Sequence, residues 1–378
     1  MRGPALCDSC RPNRRLNRPP TRSTVPIHPI TPAEALADDR RFDAIIDARS
    51  PSEFALDHIP NARNWPSLDD DQRVLIGTLY KQVNTFEAKK QGAALVARNI
   101  AAHIDAHLAD VPRTWQPLVY CWRGGNRSSA LATVLSAIGF HVHLITGGYK
   151  AFRAMVMAQT PERVTALRYR VIAGATGVGK THVLHALSAA GEQVLDLEAL
   201  ACHRSSVLGL IPGTPQPSQK HFETLIWEQL RHFDPNRPVY IESESKRVGN
   251  LTVPESLIAA MRASPMVLMD MAIEERVTLL MADYSFFVTD PEFFGQRLDT
   301  LVALLGHAVV DTWKAEATAG RSANVVAELL SHHYDPKYHE SMARNFALFS
   351  SAPVVTVNSA SPADLQAAAA DVKLAFEN

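Results

Sequence analysis

Apolar and polar positions alternate along the chain as they do where buried strands are followed by amphipathic helices. Short apolar runs occupy residues 44–46 and 118–120, and turn-forming or charged residues bound each run. After the second run, Leu131 starts a series of apolar positions at i, i+3, i+4 and i+7, which predicts a helix. We expect Ser128 to cap that helix at its start and Gly139 to end it.

The second half of the chain repeats this alternation. A strand is predicted over 169–173, the helix after it ends at Gly191, and two further strands end near Asp196 and Glu242. From Arg276 onward the pattern is mostly that of helices with one apolar face. Alternating strands and helices are typical of parallel sheets that helices cover on both sides. The pattern therefore predicts an α/β protein whose C-terminal part is helical.

Pattern and composition together divide the chain into two domains, a tail and a linker. The first residues are rich in Arg, Pro and Asn and offer almost nothing to bury, so we expect them to be disordered. A polar segment separates the two alternating stretches and is expected to connect them. The predicted parts are a tail over 1–24, a first domain over 25–157, a linker over 158–167 and a second domain over 168–378.

The bulk composition is that of a globular protein without a disulfide framework. The 378 residues are enough for two domains with full cores, and no apolar run is long enough to span a membrane. The formal net charge is -1, so a nucleic-acid partner would be held by a local basic patch. Four cysteines favour a reducing compartment, and we expect the protein in the cytoplasm. Cys7 and Cys10 form a C-x-x-C pair that lacks a second pair nearby, so we expect no metal there.

The segment CWRGGNR, residues 121–127, surrounds a single thiol with cations and glycines between a predicted strand and a predicted helix. Such a loop points backbone N–H groups and the positive end of the helix dipole at one spot. The two glycines would let the backbone curl around that spot, and the two arginines would stabilise a thiolate. We expect a nucleophile that carries or meets an anionic group. The candidates are Cys121 as the catalytic thiol and Trp122, Arg123, Gly124, Gly125, Asn126 and Arg127 as the anion-binding loop.

The segment GATGVGKT, which follows the strand at 169–173, matches the G-x-x-x-x-G-K-T pattern of a phosphate-binding loop, or P-loop. In this context the loop amides would cradle phosphate oxygens, and the lysine would neutralise them. The threonine would hold a magnesium ion if one is present, and we expect no tightly bound cofactor. The predicted phosphate-binding residues are Gly174, Gly177, Gly179, Lys180 and Thr181.

Acidic and basic side chains follow the next two predicted strands, at the edge of a parallel sheet where ligands usually bind. One of the acids would serve as the carboxylate on the metal side of a P-loop enzyme. No spacing of histidines and cysteines predicts a resident metal, and the adjacent His332 and His333 are a weak basis for one. The candidates for this second site are Asp196, Glu198, His203, Arg204, Glu242, Glu244, Lys246 and Arg247.

The first domain resembles a rhodanese domain, whose loop cysteine carries sulfur as a persulfide. The segment from Cys121 to Arg127 is one residue longer than the common rhodanese loop, as in rhodanese-fold phosphatases, which implies a group bulkier than a sulfur atom. The residues that carry the resemblance are Asp47, Arg49, Glu53, His58-Ile59-Pro60, Asn64 and Gly147-Gly148-Tyr149.

The order of the two domains and their motifs resembles the tRNA 2-selenouridine synthase family. The resemblance covers roughly residues 25–345 and rests on CWRGGNRS, DLEALACHRSS, QPSQKHFE, IESESKRVGN and YDPKY. It implies an N-terminal rhodanese-like α/β domain, then a P-loop NTPase-like α/β domain with a helical C-terminal part. The family usually has His-Arg-Gly-Ser where this chain has His203-Arg204-Ser205-Ser206, and the Cys7/Cys10 tail has no counterpart.

The resemblance implies a transferase that replaces sulfur by selenium in the 2-thiouridine at the wobble position of tRNA. Selenophosphate would donate selenium to Cys121 as a selanyl-sulfide, and geranyl diphosphate would give an S-geranyl-2-thiouridine intermediate. The P-loop suits a diphosphate, whether of geranyl diphosphate or of a nucleotide. The implied partners are tRNA and an enzyme that supplies selenophosphate. The expected contacts to tRNA phosphates are Arg153, Arg163, Arg168, Arg170, Lys246 and Arg247.

Three other functions fit part of the pattern. A rhodanese-type sulfurtransferase with a nucleotide-binding domain is the main alternative, and selenium incorporation into tRNA separates the two. A tRNA- or nucleotide-binding module with an idle thiol would keep its activity when Cys121 is replaced by serine. A phosphatase, suggested by the loop length alone, would turn over aryl phosphates.

Overall fold

Five parallel strands form the sheet of the first domain. The structure is a computed structural model that describes residues 25–206 and 208–377, so the predicted tail with Cys7 and Cys10 lies outside the described residues. The strands are β1 (His28–Ile30), β2 (Ala44–Asp47), β3 (Ala62–Asn64), β4 (Pro117–Tyr120) and β5 (His143–Ile145). In space they follow the order β1-β5-β4-β2-β3, and every pairing is parallel.

Both faces of this sheet are buried, as the apolar pattern predicts. Ile46 and Val119 pack into one apolar cluster, while their neighbours Ile45 and Leu118 pack into another on the opposite face. The helices that contribute to these clusters are α1 (Pro32–Ala37), α4 (Thr85–His107), α5 (Asn126–Ile138) and α6 (Gly148–Ala166). The other two helices of the domain, α2 (Pro51–Leu56) and α3 (Asp70–Gln82), have no buried residue.

The second domain is built on another five-stranded parallel sheet. Its strands are β6 (Arg168–Gly174), β7 (Gln193–Leu195), β8 (Pro238–Glu242), β11 (Met266–Asp270) and β12 (Val354–Thr356), and β9 (Arg247–Val248) and β10 (Leu251–Thr252) form a separate antiparallel pair. The spatial order is β12-β11-β6-β8-β7, so the strand that carries the P-loop is central. The two domains are therefore both α/β, as predicted.

Helices make up most of the rest of the second domain. Those between the strands are α7 (Lys180–Ala189), α8 (Leu197–Ala201), α9 (Gln219–His232) and α10 (Glu255–Arg262). The C-terminal helices are α11 (Ile273–Asp283), α12 (Ser285–Thr289), α13 (Pro291–Leu298), α14 (Val302–Leu305), α15 (His307–Thr318), α16 (Ser322–Leu329), α17 (Asp335–Asn345) and α18 (Pro362–Ala375). A π-helical turn, Leu330–Tyr334, joins α16 to α17. Within the described ranges, no helix has both the length and the apolar character needed to cross a bilayer.

The predicted linker at 158–167 is not a separate connector, because α6 continues to Ala166. The helix persists since one face of its last turns is buried: Val164 packs into the core of the second domain with Tyr169 and Val171. The polar residues of this segment are thus the exposed face of a helix whose other face joins the two domains.

The domains meet along α9, whose Trp227 is buried in the apolar cluster of the first domain. Asp57, at the end of α2, is fully buried and accepts hydrogen bonds from Tyr149 Oη (2.6 Å), Thr224 Oγ1 (3.1 Å) and His221 Nδ1 (3.2 Å). Two of these donors belong to the second domain. Arg231 of α9 adds an ion pair of 2.5 Å to Asp39 of the first domain.

Candidate functional site

Cys121 lies at the base of the loop between β4 and α5 and is 3% exposed. Contrary to the prediction, Ser128 does not cap α5. Gly125 is the N-cap residue, and Ser128 lies in the first turn. The Ser128 hydroxyl donates instead to the sulfur of Cys121 at 3.0 Å. The same sulfur lies 3.7 Å from the carbonyl oxygen of Gly125. A hydroxyl donor at this distance stabilises a thiolate more than a thiol.

A second loop, from the start of α6, closes the base of this one. Tyr149 N donates to the carbonyl oxygen of Cys121 at 2.8 Å, and Lys150 N donates to that of Trp122 at 3.0 Å. Gly148 has φ of +59°, and a Cβ there would lie 2.2 Å from the Cys121 oxygen. Only glycine allows this approach. Gly124 takes a positive φ of +69° as predicted, whereas a Cβ at Gly125 would meet open space.

The two arginines of the loop differ in their surroundings. Arg127 donates to Glu53 at 2.7 Å, so its charge is shared with a carboxylate and not directed at the thiol alone. Burial alone would raise the pKa of Glu53, but the hydrogen bond and charge of Arg127, with Arg73, hold that pKa below its ordinary value. Arg123 is exposed, and no ion pair or hydrogen bond joins it to another described residue. Asn126, at the start of α5, is exposed as well.

The P-loop has the geometry that its sequence predicts. Gly177 and Gly179 take φ of +85° and +83°, and α7 begins at Lys180. The lysine ammonium folds over the loop and donates to the carbonyl oxygen of Gly174 at 2.9 Å. Thr181 donates to a carboxylate oxygen of Glu242 at 2.7 Å. A phosphate group placed on this loop would therefore meet its backbone amides and one cation.

Three carboxylates converge beside Thr181. The ligand atoms of Glu198, Glu242 and Glu244 all lie within 4.8 Å of one another. Burial, together with the neighbouring carboxylates, raises the pKa of Glu242 to about 8 and that of Glu244 to about 7. Crowded buried carboxylates hold protons unless a cation compensates their charge. Oxygen ligands of this kind suit Mg²⁺, so these residues fit a divalent cation that accompanies a bound diphosphate.

One cavity of about 980 Å³ joins the P-loop to the second-site candidates. Seven of those eight residues line it, and Arg247 is exposed on β9 outside the cavity wall. Asp196 caps α8 and accepts from His185 at 3.0 Å, while Arg204 donates to the backbone of Asp283. The cations that line the cavity are Lys180, Arg204, Lys246, Arg262, Lys337 and Arg344. The same wall holds five carboxylates, those of Asp196, Glu198, Glu242, Glu244 and Asp283, so the cavity offers charges of both signs to a ligand.

Cys121 and its loop do not line that cavity, so the thiol and the P-loop form two separate sites. Residues 31–155 match the rhodanese-like domain model, and residues 167–293 match the model of the tRNA 2-selenouridine synthase AAA domain. A tRNA 2-selenouridine synthase of Marinobacter nauticus is 36% identical over 325 residues, which are 78% of this chain and 87% of that protein. This chain belongs to the tRNA 2-selenouridine synthase family. Its relatives include synthases of Nitrosomonas europaea, 34% identical over 70% of this chain and 69% of that protein, and of a Sulfurovum species, 31% identical over 80% and 89%.

Ser205 contacts two of the three carboxylates of the site. The Ser205 hydroxyl donates to Glu244 at 2.7 Å, and its backbone N–H donates to Glu198. The Ser205 hydrogen bond lowers the pKa of Glu244 and so offsets part of the effect of burial. Ser205 therefore adds a hydroxyl to the acidic side of the site.

The sequence reasoning missed C-terminal residues that lie at this site. Tyr338 accepts from the N–H of Gly174 at 2.6 Å, and Asp335 pairs with Arg276, which donates to the P-loop oxygen of Thr176. His333 lines the cavity, is 3% exposed, and its Nδ1 has no hydrogen-bond partner among the described residues. The YDPKY segment contains Asp335 and Tyr338 and could have indicated these residues. Its local pattern does not indicate that it packs on the P-loop.

Most of the arginines near residues 158–167 that the sequence predicts to bind tRNA form ion pairs or hydrogen bonds within the protein. Arg153 forms an ion pair with Glu223, and Arg170 donates to the hydroxyl of Tyr240 at 2.6 Å. Arg168 is exposed but donates to the backbone of Asn236. These groups stabilise the domain interface and the second sheet, so they do not form the free basic patch that the sequence predicts.

Proposed function

We propose that this protein replaces sulfur by selenium in the wobble 2-thiouridine of tRNA, with selenophosphate as the selenium donor. The reaction would pass through S-geranyl-2-thiouridine made from geranyl diphosphate, in the cytoplasm where tRNA is modified. The relatives are named for this modification, and the two separate sites of this chain support its division into two steps. An enzyme that supplies selenophosphate is a further partner in this proposal.

The loop around Cys121 is the site proposed for the selenium step. The buried sulfur, the Ser128 hydroxyl beside it and the amides at the start of α5 suit an anionic selenium donor held close to a thiolate. Arg123 would meet the phosphate part of that donor, and Arg127 with Glu53 would hold the loop in shape. Transfer of selenide-level selenium onto the Cys121 sulfur would need an oxidant, so in this proposal the selenium of the donor bonds directly to carbon 2 of the base as geranylthiolate departs, and water then breaks the selenium–phosphorus bond and releases phosphate. The Cys121 thiolate is the proposed catalytic group that the loop holds beside the donor.

The P-loop is the site proposed for the geranylation step. Lys180 and the loop amides would hold the diphosphate, and the oxygens of Thr181, Glu242 and Glu198 would hold Mg²⁺ beside it. When bound there, Mg²⁺ would supply positive charge that stabilises the diphosphate as a leaving group. Geranylation converts the sulfur of 2-thiouridine into a group that can depart as a thiolate, so selenium can then add at carbon 2.

The observation that carries the proposal is that the same chain has a buried thiol in the loop between β4 and α5 and a separate cavity at the P-loop. The test is mass analysis of tRNA nucleosides from cells that lack the gene and carry either the wild type or Cys121→Ala. The wild type should restore 2-selenouridine and the variant should not. If cells that carry the wild type contain 2-thiouridine but no 2-selenouridine in their tRNA, the sulfurtransferase alternative would be favoured.

A further inference from the structure

An apolar slot lies against the P-loop, on the side of the C-terminal helices. Its volume is about 50 Å³, and five residues of its wall also line the large cavity. The residues common to both are Thr176, Ser206, Leu280, Tyr284 and Tyr334. The hydroxyl groups of this shared wall mark the polar end of the slot.

Among the residues that the structure describes, the far end of the slot has no hydrogen-bonding side chain except Ser322. Met281, Phe287, Val326 and Leu329 enclose it. These residues come from α11, α12 and α16, so three of the C-terminal helices contribute to one channel. A nucleotide base needs donors and acceptors that such walls lack, whereas a hydrocarbon chain needs none.

The slot begins within van der Waals distance of the phosphate loop. A Cβ added to Gly177 would lie 2.8 Å from Cδ1 of Leu280, so the side chain that forms the slot wall packs directly on the P-loop backbone. A group attached to a phosphate on this loop would therefore meet the mouth of the slot within its first few atoms.

The π-helical turn Leu330–Tyr334 forms part of the partition between the two cavities. Leu330 lines the slot, while His333 lines the large cavity with a buried, unpartnered Nδ1. A π-helical turn adds one residue to a helical turn and is frequent at functional sites. Here it places an apolar side chain and a polar one on opposite sides of the same wall.

We propose that this slot holds the isoprenoid chain of the diphosphate whose head binds the P-loop. The inference rests on the proposed function, because it names where the chain of that substrate lies. A ten-carbon chain needs more room than about 50 Å³, and the partly buried Met281 is the unbranched, adaptable side chain whose movement would supply it. The chain would be buried by side chains of the C-terminal helices rather than by the tRNA.

The test measures binding by calorimetry on the full chain with Mg²⁺, using geranyl diphosphate, dimethylallyl diphosphate and inorganic pyrophosphate. The wild type should bind geranyl diphosphate about tenfold or more tightly than pyrophosphate, with the five-carbon compound in between, because each buried methylene contributes roughly fourfold and burial of only two already gives a factor of about sixteen. Val326→Phe should fill the slot and reduce that preference to less than about threefold, while pyrophosphate affinity stays unchanged. Ala323→Phe, which adds the same ring on the exposed side of α16 outside the slot, is the matched control and should keep the preference.

Each other result has a definite reading. If the wild type binds pyrophosphate and geranyl diphosphate equally, or if Val326→Phe keeps the full preference, the slot does not hold the chain, although the P-loop can still hold the diphosphate. If neither compound binds the wild type, the P-loop assignment in the proposed function fails and the slot assignment with it. If Val326→Phe loses pyrophosphate binding as well, the chain-length series on the wild type decides, and no gain from five to ten carbons overturns the inference.

Discussion

Replacing Asp57 by alanine should weaken the contact between the two domains. The carboxylate is fully buried and accepts from three donors, Tyr149 Oη, Thr224 Oγ1 and His221 Nδ1. Two of these donors, Tyr149 and Thr224, are themselves buried, and the alanine variant leaves both without an acceptor. A buried donor that loses its acceptor costs about 1–3 kcal/mol.

We therefore expect Asp57→Ala to lower the free energy of unfolding by about 3–5 kcal/mol. Thr224→Ala, which removes one donor and leaves the carboxylate with two, should cost only about 1 kcal/mol. Asp110→Ala, at an exposed loop position, is the matched control and should stay within about 0.5 kcal/mol of the wild type.

The assay is urea unfolding followed by circular dichroism and by tryptophan fluorescence, since Trp227 lies at the domain contact. Loss of coincidence between the two signals in Asp57→Ala would show that the domains unfold separately. A free energy of unfolding within about 1 kcal/mol of the wild type would refute the reasoning, because the buried network would then contribute little to stability.

Two further predictions concern the two sites. Ser128→Ala removes the hydroxyl that donates to Cys121, so alkylation of that thiol by iodoacetamide at neutral pH should slow by about fivefold; an unchanged rate would show that the hydroxyl does not stabilise the thiolate. Burial raises the pKa of Glu242 to about 8 and of Glu244 to about 7, above the ordinary value of 4.5. The metal-free folded state therefore binds more protons than the unfolded state, and its stability should fall as pH rises from about 5 to 8.5. Glu242→Gln should flatten this dependence in urea unfolding, and an equally steep dependence would contradict the assigned pKa.

The sequence predicts the parts of the fold that depend on local pattern. Residues within a few positions of one another determine several of these features. They are the strands that end at Tyr120 and Gly174, the loops that follow these two strands, and the end of α5 at Gly139. Asp196, Glu198 and Glu242 meet in one cavity because the carboxyl ends of parallel strands share an edge. That rule holds for any sheet of this type.

The errors arise where distant residues decide the outcome. Arg127 pairs with Glu53, which lies 74 positions earlier, and no local pattern indicates that contact. Serine is a residue type typical of helix caps, but the N-cap of α5 lies three residues before Ser128. The Ser128 hydroxyl therefore lies within the first turn and donates to the sulfur of Cys121. The polar segment at 158–167 is helical because Val164 finds a core in the second domain. The position of His333 in the cavity wall depends on a π-helical turn, which shifts side-chain positions in a way that the 3.6-residue period does not predict.

The most direct test of the division of labour is an assay of each half-reaction with Lys180→Ala and with Cys121→Ala, read by the mass of the modified nucleoside. Loss of the Lys180 ammonium should weaken diphosphate binding by about tenfold to a hundredfold. Lys180→Ala should therefore fail to make S-geranyl-2-thiouridine from thiolated tRNA, yet convert pre-geranylated tRNA to 2-selenouridine when selenophosphate is supplied. Cys121→Ala should geranylate normally and stop before selenium enters. Normal geranylation by Lys180→Ala, or loss of both steps in both variants, would contradict the assignment of one step to each domain.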